Sequence, residues 1–295
     1  MVVWTRLIRF KSVATDAIYF GQPILAAASE DIASTYAAGS LTAKVITLGD
    51  DSDIFSPLAS VSDTILPVTE LLGPLTPTMV PTVRCIGLNY LKHILEAGRT
   101  PPPYPSLFLK PSNAVAGFDE PIPVPKIAQD EQSDYEGELV VVLGKTGTNI
   151  PVEEALDYVA GYTCGNDVSA RKWQRDPGLA GVVPQWCFSK GFDKSAPLGP
   201  AIVSSSILGD ASGLDLKTLV NGELRQDSNT SDFLFTVPAL ISFLSQGTTL
   251  EKGSIIMTGT PGGVGFAMNK YLHDGDRVDI CIAKIGTLTN TIVYA

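Results

Sequence analysis

From about residue 115 to its end the chain is a succession of short apolar runs divided by turn residues. ELVVVLG, AIVSSS, LKTLVNGELRQ, SIIMTGTP, RVDICIAKIG and TLTNTIVYA all read as strands. Asn221-Gly222 between apolar flanks marks a two-residue hairpin turn. Only PVEEALDYVAGY, with Pro151 in its first turn, and TVPALISFLSQG, capped by Gly247, read as helices there. The pattern predicts a mostly β, α+β domain and argues against a doubly wound parallel sheet.

Ahead of this region, residues 1–72 carry shorter strand-like runs (TRLIRF, AIYFG, AKVITLG) and read as a small N-terminal α/β domain. Pro74, Pro77 and Pro81 break helix and interior strand alike, so residues 73–84 read as a linker before a domain over 85–295. A second Pro-rich stretch, GRTPPPYPSLFLKP, has the character of a lid or mobile loop. The arginines and few acids of the N-terminus resemble a transit peptide, but the alternation of TRLIRF and the strand-like AIYFG fit a hairpin of the folded body better. A cytoplasmic location is therefore expected, with a mitochondrial one as the alternative.

A net charge of −10 disfavours a nucleic-acid partner. No apolar run reaches the about 18 residues of a membrane span. The four cysteines form no C-x-x-C pair and read as reduced, buried thiols. With only two histidines, any metal should be a hard cation held by oxygens.

The most informative segment is SDYEGELVVVLG, residues 133–144. As a strand, one face reads Asp134, Glu136, Glu138, Val140, Val142 and the other Tyr135, Gly137, Leu139, Val141, Leu143. Acids leading into a buried row are costly unless compensated. A divalent cation, a salt-bridged pair and a plain surface row are the three readings that periodicity leaves open. Asp167, in GYTCGNDVSARKWQ, is a candidate third ligand or an ordinary helix cap.

Several separated motifs agree with one another. GLNYLKHILEAG, FLKPSNAVAG, DYEGELVVVLGK, GYTCGNDVSARKWQ, SKGFDKSAPLGP, VNGELRQ and IIMTGTPGGVG, spread from 87 to 265, resemble the fumarylacetoacetate hydrolase family, in particular its shorter two-domain members. The resemblance implies a mixed β-sandwich roll, usually a homodimer. It implies that Glu136, Glu138 and Asp167 ligate one Mg²⁺ or Mn²⁺, and that His93 and Glu96 form a catalytic pair on a segment that orders over substrate. It further implies an active-site lysine at Lys190 and substrate-lining positions at Arg171, Gln174 and Thr260. Lys172 departs from the pattern, since relatives often carry an acid there.

The implied substrates are small 2-oxo acids or β-diketo acids, whose keto-carboxylate end can chelate a hard cation that stabilises an enolate. The first expectation is hydrolysis of a C–C bond in an acylpyruvate-like or β-diketo acid, with His93 taking a proton from water. The alternatives are an oxaloacetate keto–enol tautomerase or decarboxylase, an enzyme of a specialised pathway, and a catalytically silent binding protein.

Overall fold

The computed structural model describes residues 2–13, 17–27, 30–96 and 98–295, with Glu96 described by its backbone alone. No helix among them is long and apolar enough to cross a membrane. The strands of the first half are β1 (Arg6–Lys11), β2 (Ile18–Ile24), β3 (Thr42–Thr47), β4 (Ser60–Pro67), β5 (Glu70–Leu72), β6 (Val83–Gly87), β7 (Ser106–Lys110), β8 (Val115–Ala116), β9 (Ile122–Val124), β10 (Ser133–Asp134) and β11 (Gly137–Leu143). Those of the second half are β12 (Val159–Asn166), β13 (Ser169–Ala170), β14 (Ala196–Ser204), β15 (Asp215–Val220), β16 (Glu223–Asn229), β17 (Ile255–Met257), β18 (Arg277–Ile282) and β19 (Gly286–Tyr294). Short helices decorate them: α1 (Ile32–Ala37), α2 (Leu91–Glu96), α3 (Arg171–Arg175), α4 (Pro177–Ala180), α5 (Trp186–Lys190), α6 (Ser205–Leu208), α7 (Val237–Leu244) and α8 (Gly265–Met268).

A long mixed sheet runs β4-β3-β2-β1-β14-β12-β11-β17-β6-β7, and a second sheet runs β16-β15-β18-β19-β9. The mostly β architecture expected from the strand pattern forms, with the mixed sheets that the family resemblance implies. The TRLIRF and AIYFG runs pair as antiparallel β1 and β2, as their alternation implies. Because β1 also pairs with β14, the first 72 residues continue the main sheet and contribute to both of its cores.

β11 is the strand around which the site is built. Leu139, Val141 and Leu143 face one core, shared with Leu216 of β15 and Ile280 of β18. Val140 and Val142 face the other, shared with Ile255 and Met257 of β17 and Val83 of β6. Residues 139–143 are wholly excluded from solvent. At roughly 1.5–3 kcal/mol for each fully buried aliphatic side chain, they fix the strand and whatever precedes it.

Several local expectations need correction. The Asn221-Gly222 turn forms, with φ of 51° and 79°, the mirror-image geometry that matches strand twist. PVEEALDYVAGY, however, makes a 3-10 stretch over Val152–Tyr158 and then enters β12. The β-branched and aromatic VAGYT continues as strand because it pairs on both sides, with β11 and β14. TVPALISFLSQG is helical over Val237–Leu244, but its C-cap is Ser245; Gly247 turns the chain two residues later. The end of the second Pro-rich stretch is β7, paired with β6 at the edge of the long sheet. Cys85 and Cys164 are buried, but Cys187 is exposed on α5.

Candidate active site

Glu136, Glu138 and Asp167 converge, with one carboxylate oxygen of each lying within 4.8 Å of the others. The convergence follows from strand pairing. β11 and β12 are antiparallel neighbours with Gly137 opposite Asn166, so the ends of the two strands that carry the acids are side by side. The backbone N–H of Asp167 donates to Glu136 O at 2.9 Å. The Asn166 side chain accepts from the Glu136 N–H at 2.9 Å. Asp167 is not a helix cap: it follows β12, and the N-cap of α3 is Ala170.

Gly137, between the two glutamates, is required by close approach. A Cβ there would lie 2.2 Å from Thr218 Oγ1 and 3.1 Å from Gln226 Oε1. Its N–H donates to that same Gln226 oxygen at 2.9 Å. The second sheet thus presses on the strand where the carboxylates emerge.

Three cations meet four acids. Lys190 Nζ lies 2.7 Å from Glu136 Oε2 and 2.6 Å from Asp167 Oδ2. Arg171 pairs with Asp134 at 2.7 Å through Nε and with Glu136 at 2.6 Å through Nη2. Lys110 Nζ lies 2.8 Å from Asp167 Oδ1 and donates to Ser195 O at 2.5 Å. Glu138 has no cation at ion-pair distance among the described residues; Gly259 N–H donates to its Oε2 at 2.8 Å.

The protonation equilibria follow. Burial opposes ionisation of Glu136, but Lys190 and Arg171 outweigh it and pull its pKa down to about 2. Burial likewise opposes the Lys190 ammonium, and Asp167 and Glu136 raise its pKa above the usual value. Glu138 is pushed well above the carboxylate range, first by burial and then by the charges of Asp167 and Glu136. Asp167 Oδ1 is buried without an aligned hydrogen bond. A concentrated set of hard oxygens, one carboxylate lacking a cation and one oxygen lacking an aligned donor fit a divalent cation better than a closed salt-bridge network.

Of the three acids, Glu136 lines a cavity of about 180 Å³. His93, on α2, Lys190, Gln174 and Thr260 line it, as do Glu136 and Arg171. Glu138 and Asp167 are not among the lining residues. The Glu96 side chain, expected to work with His93, lies outside the described residues.

Two expected substrate contacts are already engaged. Besides its two acid partners, Arg171 donates through Nη1 to Gln174 Oε1 at 3.1 Å. Thr260 Oγ1 donates to Gly137 O at 3.0 Å and accepts from Gln226 Nε2 at 2.8 Å. Lys172 is not among the residues lining the cavity; its Nζ donates to Asp130 O at 2.5 Å.

Sequence reasoning left Asp134 unassigned and passed over Lys110. Asp134 accepts from the N–H groups of Gly265 at 2.7 Å and Phe266 at 2.9 Å while holding Arg171, so it ties the loop after TGTPGG to the site. Lys110 has no signal in the sequence beyond its place in FLKP; its partner Asp167 is 57 positions away.

This fold and this buried acidic cluster define the class: the chain belongs to the fumarylacetoacetate hydrolase family. Residues 82–293 match the family model for the fumarylacetoacetate (FAA) hydrolase C-terminal region. Over 98% of its length the chain is 42% identical to a caffeoylpyruvate hydrolase from Neonothopanus nambi, covering 93% of that protein. It is 44% identical to an oxaloacetate tautomerase from Bacillus subtilis, over 70% of this chain and 68% of that one. Among solved structures, a fumarylpyruvate hydrolase from Pseudomonas aeruginosa in complex with Mn²⁺ and pyruvate aligns with a TM-score of 0.65 and 32% identity, covering 79% of this chain and 93% of that one.

Proposed function

We propose that the chain is a divalent-metal-dependent hydrolase cleaving a C–C bond in an acylpyruvate-like or β-diketo acid. The observation that carries this reading is Glu138, buried beside Glu136 and Asp167 and without a cation at ion-pair distance among the described residues. Glu136, Glu138 and Asp167 would hold one Mg²⁺ or Mn²⁺. Such an ion, when bound, supplies Lewis acidity toward the keto-carboxylate end of the substrate.

The remaining roles belong to the chain. His93 takes a proton from water, and the new C–O bond forms at the distal carbonyl. Glu96, three residues on, orients the imidazole. The C–C bond breaks with its electron pair passing to the pyruvyl fragment, which is then protonated. Lys190, fixed between Glu136 and Asp167, holds positive charge toward the developing oxyanion. Gln174 and Thr260 shape the wall against which substrate rests.

The similarity to the Bacillus subtilis oxaloacetate tautomerase favours a second reading, in which the same site moves a proton at carbon 3 of oxaloacetate without hydrolysis. Assays of acylpyruvates and oxaloacetate with Mg²⁺, Mn²⁺ and EDTA decide between them. Full activity in EDTA rejects both. A homodimer in solution is part of the proposal, and light scattering on the purified chain tests it.

A further inference from the structure

A single peptide group joins the acidic cluster to the segment that carries His93. Gly259 N–H donates to Glu138 Oε2 at 2.8 Å, and the carbonyl of the same peptide, Thr258 O, accepts from Asn89 Nδ2 at 2.8 Å. Asn89 and Thr258 have no exposed surface and Glu138 only 1%, so both bonds are shielded from bulk water. Hydrogen bonds in series polarise one another in such surroundings, and each strengthens the next.

The orientation of that peptide is not fixed by its own residues. Gly259 sits at φ 97°, and glycine accepts either sign of φ, so the peptide before it can turn its N–H or its carbonyl toward the carboxylate. Turned the second way, Thr258 O would face Glu138 and repel it. Thr258 N–H and Oγ1 both donate to Leu139 O, at 3.1 and 2.9 Å, which holds the far side of Thr258 and leaves its carbonyl to Asn89. A Cβ at Gly259 would lie 3.0 Å from both Asn89 Cβ and Ile86 O, so the two segments touch where the amide donates.

Asn89 is itself locked. Its Oδ1 accepts from Phe235 N–H at 2.8 Å, its Nδ2 also donates to Phe235 O at 3.2 Å, and its own carbonyl accepts from Leu234 N–H at 2.8 Å. A reversed carboxamide would set its oxygen against two carbonyls. The chain reaches Asn89 through Leu88 at φ 57°, a left-handed conformation that a residue with a Cβ enters at a cost. Two residues further on α2 begins, where Lys92 N–H donates to Asp232 Oδ2 at 3.1 Å.

We infer that Asn89 is a positioning residue that acts through the Thr258–Gly259 peptide, keeping an N–H on Glu138 and so holding this carboxylate where it binds a divalent cation. The inference rests on the proposed metal-dependent chemistry, in which Glu138 is a ligand. It makes metal affinity depend on a side chain that belongs neither to the three acids nor to the cavity wall.

Mn²⁺ titration calorimetry on the whole chain tests this without turnover. Asn89→Asp keeps the size and the acceptor for Phe235 N–H but replaces the donor, whereas Asn89→Leu removes both. Each should weaken Mn²⁺ binding by about ten-fold or more, the range of an outer-shell partner. A fold that was merely loosened would also impair Glu136 and Asp167, so the loss would persist on top of Glu138→Ala. Acting through Glu138, Asn89→Asp should instead cost less than about two-fold in that background. Asp232→Ala, which loosens the start of α2 and leaves the peptide alone, should bind Mn²⁺ as the unaltered chain does. Circular dichroism verifies folding, and the Asp variant carries the test if the Leu variant does not fold. Unchanged affinity in the folded Asn89 variants, a full loss in the Glu138→Ala background, or an equal loss in Asp232→Ala overturns the inference alone. An unaltered chain that binds no Mn²⁺ overturns the metal-dependent reading and the inference with it.

Discussion

Lys110 Nζ lies 2.8 Å from Asp167 Oδ1, and neither side chain has any exposed surface. The lysine also reaches Ser195 O and Val168 O, at 2.5 and 3.2 Å, so its ammonium is fully enclosed by acceptors. It neutralises the side of Asp167 that Lys190 does not reach.

Lys110→Met should therefore destabilise the metal-free chain by roughly 3–5 kcal/mol, the usual cost of stranding one partner of a buried pair. Denaturant unfolding with and without Mg²⁺ measures it. Much of the loss should return with the ion, since a divalent charge replaces the missing one. A loss of under about 1 kcal/mol would show that the pair is unimportant.

Glu138→Gln should have opposite effects on the two states. It removes the carboxylate that burial and its neighbours disfavour, so the metal-free chain should melt at a higher temperature. Metal affinity should fall by more than the ~10–100-fold typical of losing an outer-shell partner. Calorimetric titration with Mn²⁺ checks the second effect, and a variant that binds normally would remove Glu138 from the ligand set.

The same group sets a pH dependence. Its folded pKa lies above the unfolded value of about 4.3. Between the two the folded, metal-free chain holds a proton that the unfolded chain has released, so stability falls as pH rises through that window. Metal must displace that proton, so affinity should climb with pH by up to about ten-fold per unit while Glu138 is protonated. Melting curves with and without Mg²⁺, from about pH 5 to pH 8, should diverge as pH rises. Glu136, held near pKa 2, contributes no change across that range.

His93→Ala separates the two reactions. Loss of a general base costs about 10²–10⁴ in rate. Acylpyruvate cleavage should fall by that amount, whereas oxaloacetate enolisation should be spared if it does not use the imidazole. Equal loss of both activities would instead assign His93 to proton transfer in each.

Legibility in the sequence ended where pairing became long-range. The alternation of ELVVVL gave the two faces of β11 correctly, because each faces its own core. Extending the same alternation back to Asp134 failed. The strand breaks at Tyr135-Glu136, and Asp134 belongs to β10, paired with β13. The family motifs brought Glu136, Glu138, Asp167, Lys190 and His93 to one place, but not the engagement of Arg171 by two acids, which depends on contacts 35 and 37 positions apart. Lys110 was invisible for the same reason, on a strand that a Pro-rich context disguised as a loop.

The pairing of β11 with β12 also bears on how the site assembles. The three acids are brought together by one antiparallel pair of neighbouring strands, while Lys110 and Lys190 arrive on β7 and α5. If this pair of strands closes before β7 and α5 dock, like charges are gathered ahead of their counter-ions, a local electrostatic conflict. Mg²⁺ supplied during refolding should relieve that repulsion and speed the step, as stopped-flow fluorescence at matched ionic strength would show. An ion needed for chemistry would then also act as a chaperone for the strands that hold it.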